Sequence, residues 1–183
     1  NLFETLSLPS VDYTETKRLQ VIESTGNYSL VWNNVKTYNG EGIVAKKNGS
    51  KWVEGTRSKN WLKIKNWKLV NVIVTKYEQA NGFLNGAIYK GDTLIEVVTF
   101  KHGFKDEEIK ALIHTFKTHG TLLVGNIWEL PASICVTVAC IDFDGTKLRE
   151  PRFHAFNLDV NSSDCNWQQM QRQLNPIPEH VTV

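Results

Sequence analysis

No apolar run in this sequence approaches the roughly 20 residues that a membrane-spanning helix needs, and Asn1-Leu2-Phe3-Glu4 does not begin a secretory signal. Neither a membrane protein nor a secreted one is expected. There are only three cysteines, Cys135, Cys140 and Cys165, and no C-x-x-C pair among them. A disulfide scaffold is thereby excluded, and core thiols of a reduced, cytosolic protein are favoured over zinc ligands. Disorder is excluded too, because the chain is 41% hydrophobic with six tryptophans and has the material for a core. Its 183 residues suffice for one ordinary domain, or for a small domain with a piece of another. The most telling shortage is local: from Lys46 to Lys76 there are nine basic residues and one acidic residue, Glu54, against 12 basic and 18 acidic in the rest. The net charge of +2 conceals a chain polarised around one cationic segment.

The order of residues in that segment carries chemistry. Glu41-Gly42 leads into Ile43-Val44-Ala45, an apolar run expected to form a short buried strand, closed by Lys46. In Trp61-Leu62-Lys63-Ile64-Lys65 the residues alternate, so Lys63 and Lys65 leave one strand face about 7 Å apart. Two ammonium groups at that spacing straddle a phosphate. A carboxylate at the start of a neighbouring strand, Glu41, suits magnesium, which prefers one or two carboxylates plus phosphate oxygens. A solvated basic hairpin face explains the same charges without function. Asn48-Gly49 and Glu54-Gly55 mark turns, expected between short strands.

Elsewhere the chain alternates between helix and strand signals. A helix is suggested from Glu15 to Glu23, and a better one begins after the cap Asn27, with Tyr28, Val31 or Trp32, and Val35 on one side, ending at Tyr38-Asn39-Gly40. Beyond Lys65 the pattern turns to β: Leu69 to Tyr77, then Phe83 to Tyr89 and Thr93 to Phe100 around the turn Lys90-Gly91-Asp92. A clear helix spans Asp106 to His119, with acids in its first turn, Ile109, Leu112, Ile113 and Phe116 on one face, and Gly120 past its end. Two more strands, Ile134 to Phe143 and Lys147 to Leu158, meet at Asp144-Gly145. Five strands with a helix between the third and fourth form the order of an OB-fold, a partly open barrel that binds oligonucleotides. Trp167, Met170 and Leu174 then suggest a short capping helix before a linker at Pro176 and Pro178.

The run E-G-I-V-A-K followed by W-x-x-G-x-R-S-x-x-W-L-K-I-K resembles two adjacent motifs near the end of the nucleotidyltransferase domain of ATP-dependent DNA ligases, most nearly the ligase part of bacterial ligase D. Phe100-Lys101-His102-Gly103-Phe104-Lys105-Asp106-Glu107-Glu108 and Leu148-Arg149-Glu150-Pro151-Arg152-Phe153 resemble two later elements of the family. The resemblance implies an α+β, mostly β chain: residues 1–66 as the C-terminal part of a nucleotidyltransferase (adenylation) domain, and residues 67–183 as an OB-fold domain with a C-terminal linker. It implies Glu41, Lys46, Lys63 and Lys65 at the nucleotide, with Lys63, Lys65 and Glu41 as the catalytic set and Glu41 as the metal ligand. Lys47, Lys51, Arg57, Lys59, Lys68, Arg149 and Arg152 are the implied DNA contacts. The cofactors implied are ATP with magnesium or manganese, and the partner is nicked or broken double-stranded DNA. A bacterial Ku protein and a polymerase domain in the same polypeptide are also implied, in the cytoplasm at the nucleoid.

Two departures from the family pattern matter. Lys46-Lys47-Asn48-Gly49 satisfies K-x-[DN]-G, the pattern of the nucleophilic lysine, but stands after E-G-I-V-A-K has begun, where an asparagine-glycine turn explains it. The implied nucleophile lies outside the chain, which by itself is not expected to adenylylate. Where relatives carry a last arginine and a downstream lysine, the sequence reads His154-Ala155-Phe156-Asn157-Leu158-Asp159, leaving Arg149 and Arg152 as the basic residues of that region. Two other classes remain: a capping guanylyltransferase loading GTP, and a non-catalytic OB-fold module that only binds nucleic acid.

Overall fold

The computed structural model describes residues 25–171 and 175–176; the helix expected over Glu15–Glu23 lies outside them. The chain divides into two compact units between Lys65 and Asn66.

In the first unit, α1 (Tyr28–Thr37) begins where the Asn27 side chain accepts the Leu30 N–H at 3.1 Å, satisfying one of the free donors of the first turn. Trp32 is its buried residue and lies parallel to the ring of Tyr28, 6.0 Å away. The helix stops at Tyr38, and the left-handed Asn39 (φ 53°) turns the chain toward β1 (Gly42–Lys46). β1 pairs antiparallel with β2 (Trp61–Lys65). The strand expected at Ile43–Ala45 is present, but it is not buried, since Val44 and Ala45 are exposed. Two strands alone offer a whole face to solvent, and among the described residues no third strand joins them. Nor are there short strands around Asn48-Gly49 and Glu54-Gly55; residues 47–60 form one loop turned at those glycines.

The second unit is organised by a seven-stranded antiparallel sheet. Its main strands are β3 (Lys68–Glu78), β4 (Phe83–Lys90), β5 (Thr93–Phe100), β7 (Ile127–Cys140) and β10 (Arg152–Phe156), side by side as β10-β7-β3-β4-β5. Helix α2 (Asp106–His119) follows β5, and the short β6 (Thr121–Leu123) pairs with the start of β7. β8 (Asp142–Phe143) and β9 (Leu148–Arg149) form a small hairpin, and after α3 (Gln168–Gln171) comes β11 (Asn175–Pro176), paired with β3. The order third-second-first-fourth-fifth, with the helix between third and fourth, is that of an OB-fold. Bulges in β3, in the β4–β5 pair and in β10 interrupt the register, as strong curvature requires.

The pairing is nearly closed. Past the end of β5, the carbonyl of His102 accepts the Phe153 N–H of β10 at 2.8 Å, and Phe104 stacks on Phe153 at 3.9 Å. Leu112 and Phe116 of α2 are fully buried among Val70, Val72, Val98 and Val136 from the sheet, the apolar face that the 3.6-residue period predicted. Glu108 accepts the Lys105 N–H at 2.7 Å, satisfying a free donor at the helix start. At the β8–β9 turn, the Asp144 carboxylate accepts from Lys147 N, Thr146 N and the Thr146 hydroxyl, which lowers its pKa to about 2.

Three differences from the sequence reading concern this unit. The fourth barrel strand starts at Ile127 rather than Ile134. The last strand is divided at left-handed Glu150 (φ 49°) into β9 and β10. The C-terminal helix covers only Gln168–Gln171, and Leu174 lies outside the described residues. All three cysteines are buried and free. Burial pushes the Cys140 thiol up to about 12, and burial with the adjacent Cys135 raises that of Cys165 as well. Cys140 and Cys165 are therefore unreactive core thiols at neutral pH.

A cationic strand pair in the first unit and the basic residues of the barrel

Register decides what β1 and β2 present. Gly42 stands opposite Lys65, Val44 opposite Lys63 and Lys46 opposite Trp61. Directly paired residues share a face, so Lys63 and Lys65 leave the pair together with Lys46 and Trp61, while Ile43 and Ile64 occupy the other side. The Lys46 ammonium sits 4.1 Å from the centre of the Trp61 ring, a cation–π contact that fixes its direction. Lys46 is therefore part of this cationic face, and the K-x-[DN]-G match is a turn: Ser50 N–H donates to Lys47 O at 3.1 Å around Gly49 (φ 74°).

The glycine of E-G-I-V-A-K has a steric reason. Gly42 has φ 144°, and a Cβ there would lie 2.1 Å from the carbonyl oxygen of Ile64. Only glycine lets β1 begin this close to β2. Glu41 immediately precedes it and is exposed, next in sequence to the residue that pairs with Lys65. Among the described residues no three carboxylates, histidines or cysteines cluster as a self-sufficient metal site. A lone carboxylate beside two lysines fits magnesium held jointly with a nucleotide phosphate, and does not fit a site made of protein alone.

Lys47, Lys51, Arg57 and Lys59 all lie on the exposed 47–60 loop. Lys51, Arg57 and Lys63, with Trp52 and Trp61, line a cleft of about 540 Å³. In the second unit, Arg152 stacks on Trp67 at 5.3 Å, and Arg149 reaches Asp142 at 3.6 Å; both side chains remain accessible.

Lys68 does not belong with them. Its side chain is 1% exposed and its ammonium lies 3.9 Å from Asp142, inside the start of β3, so the expected DNA contact is replaced by a buried structural cation. Strand alternation accounts for this: Lys68, Val70 and Val72 are all buried residues of β3. Lys68→Ala is expected to destabilise the second unit by about 2–4 kcal/mol, through a cavity and the loss of its ion pair. The salt dependence of DNA binding should stay unchanged. A thermal melt together with a salt titration of DNA affinity tests this; an altered salt slope at unchanged stability would return Lys68 to the surface.

Trp52, which opens the W-x-x-G-x-R-S run, was given no role of its own in the sequence reading, and the structure leaves it exposed. Its lysine and arginine neighbours were the available signal. Among the described residues no helix is long and apolar enough to cross a membrane.

Comparison with known proteins agrees with the geometry. Residues 3–65 match the family model of the ATP dependent DNA ligase domain, and the match ends at the residue that ends the first compact unit. The bifunctional non-homologous end joining protein LigD of Bacillus subtilis (strain 168) is 33% identical over 177 residues, 96% of this chain and 29% of that protein. A probable DNA ligase of Koribacter versatilis (strain Ellin345) is 29% identical over 107 residues, 54% of this chain and 19% of its own length. The chain thus spans less than a third of either relative. Among solved structures, the ligase domain of M. tuberculosis LigD has the same fold over 74% of this chain and 50% of its own, with a TM-score of 0.51 at 17% identity. Residues 3–65 are thus similar to the ATP dependent DNA ligase domain, and along nearly its whole length the chain is similar to the end-joining protein LigD.

Proposed function

We propose that this chain is the C-terminal half of the ligase domain of an ATP-dependent DNA ligase of the end-joining type. The observation carrying this reading is the β1–β2 register, which puts Lys63 and Lys65 on one face beside the strand that Glu41 opens. Such a ligase moves AMP from ATP onto a lysine with release of pyrophosphate, passes it to the 5′-phosphate of a broken strand, and lets the 3′-hydroxyl attack that phosphate and release AMP. Every step concentrates negative charge on phosphate oxygens, so fixed cations are the natural catalysts. Lys63 and Lys65 neutralise the AMP phosphate, and Glu41 orients the nucleotide and would hold magnesium, which would add further positive charge there. The Lys46 ammonium, held over Trp61, borders the same face.

The 47–60 loop and the exposed arginines of the barrel bind the DNA backbone, Lys47, Lys51, Arg57 and Lys59 from the first unit, Arg149 and Arg152 from the second. Such contacts carry no sequence information, and affinity falls steeply with salt. In this reading none of Lys46, Lys47, Lys63 and Lys65 is the nucleophile, and the 183-residue chain by itself is expected not to adenylylate. The reading extends to repair of double-strand breaks, with a Ku-type end-binding protein and a polymerase domain as companions, because the 33%-identical relative is a bifunctional end-joining protein.

Intact mass of the complete gene product after incubation with magnesium and either ATP or GTP is the test. An AMP adduct formed with ATP alone is expected. A GMP adduct would replace the reading by a capping guanylyltransferase, and no adduct by a nucleic-acid-binding module.

A further inference from the structure

Trp52 is 68% exposed, against 37% for Trp61 and 7% for Trp32. Its indole face stands open beside the cations of the loop, an apolar plate with a polar N–H at one edge. Trp61 already has a partner in Lys46 at 4.1 Å; Trp52 has no ring or cation partner among the described residues. The loop that carries it is fastened rather than loose. Lys47 N–H donates to Asn60 O at 2.8 Å across its base, Ser50 N–H to Lys47 O at 3.1 Å, and the Thr56 hydroxyl to Val53 O at 3.0 Å. Trp52 is thereby held at a cleft of about 540 Å³ whose charged walls are Lys51, Arg57 and Lys63. Glu54, the acid of the loop, is not among those walls. A cleft of this size accepts one nucleotide.

We infer that this cleft captures an unpaired nucleotide of a DNA strand, its base stacked on Trp52 and its flanking phosphates held by Lys51 and Arg57. Cations along a backbone track beside an aromatic platform are the general means of holding single strands, and stacking tolerates any base. Bases inside a duplex are stacked on their neighbours and cannot reach Trp52. The inference rests on the DNA-binding reading above and narrows it to strand ends with unpaired nucleotides.

The 183-residue chain, its Trp52→Ala variant and its Trp52→Phe variant are titrated by fluorescence anisotropy against a labelled single strand of about 12 nucleotides and a blunt duplex of equal length. Trp52→Ala should weaken single-strand binding roughly tenfold or more, with less than about a twofold change on the duplex and the same salt slope. Trp52→Phe, which keeps an aromatic face, should recover most of the loss, and both variants should melt like the parent. No single-strand binding by the parent, no loss in Trp52→Ala, or an equal loss on both DNAs would overturn the inference. Displacement of the single strand by polyglutamate as readily as by unlabelled oligonucleotide would overturn it in favour of an acidic protein. The complete protein separates this idea from the ligase reading: absence of an AMP adduct with the Trp52 effect intact sinks only the latter, and an adduct without the Trp52 effect sinks only the former.

Discussion

Lys63→Ala in the complete protein is expected to slow strand sealing by roughly 10²- to 10³-fold, the loss typical of removing one fixed group that stabilises developing charge. Lys63 lies mid-strand in β2 opposite Val44, exposed, on the face it shares with Lys65. Two ammonium groups at strand spacing flank one phosphate, and removing one leaves half the compensation where negative charge accumulates. Because the side chain is exposed and packs no core, the melting temperature should not change. Affinity for DNA should fall only slightly, since one phosphate contact among many changes the salt slope by less than about one. Single-turnover sealing of a 5′-phosphorylated nick separates these effects from binding. Lys63→Arg retains the charge but in a wider planar fork, and should recover part of the rate. Sealing by Lys63→Ala at the parental rate would remove this residue from the site.

Gly103→Ala should be the most damaging small substitution in the barrel. Gly103 has φ 101°, where an L side chain is strained, and its Cβ would lie 2.2 Å from the carbonyl oxygen of Phe153 and 2.9 Å from its nitrogen. Backbone of β10 occupies that space and cannot rotate away. The variant must separate β10 from the end of β5, giving up the 2.8 Å bond between Phe153 N and His102 O and loosening Phe104 from Phe153. Left-handed strain alone costs about 1–3 kcal/mol, and with the lost closure about 3 kcal/mol or more is expected, a fall of roughly 10 °C in melting temperature. Gly125→Ala is the internal control. It has φ 80° with nothing within 4 Å of the added carbon, so it suffers the strain without the collision. Equal melting temperatures for the two variants would show that the closure of the barrel at Gly103 contributes nothing.

Much of this could be read along the chain because the determinants are local. Asn27 and Gly120 delimit helices by capping, and α2 runs over the expected Asp106–His119 because its acids, its apolar stripe and its terminal glycine all agree. β5 matches its expected Thr93–Phe100 because Gly91 (φ 61°) fixes the turn before it. The early start of β7 was not legible: Ile127-Trp128-Glu129 pairs on one side with β6 and on the other with Glu78-Tyr77-Lys76, partners remote in sequence. That Trp52 stands open to solvent was not legible, because exposure is not a property of one residue in a loop.

The sequence by itself determined the strand and helix types and the alternation that sends Lys63 and Lys65 the same way. Those follow from capping, turn chemistry and the two-residue period, which act within a few residues. Tertiary structure alone decided that Lys68 faces inward beside Asp142 while Lys63 faces solvent, that Val44 is uncovered, and that Gly103 touches Phe153. Each depends on which distant backbone lies across from the residue, and a lysine reads the same in either place until the opposite strand has been laid down.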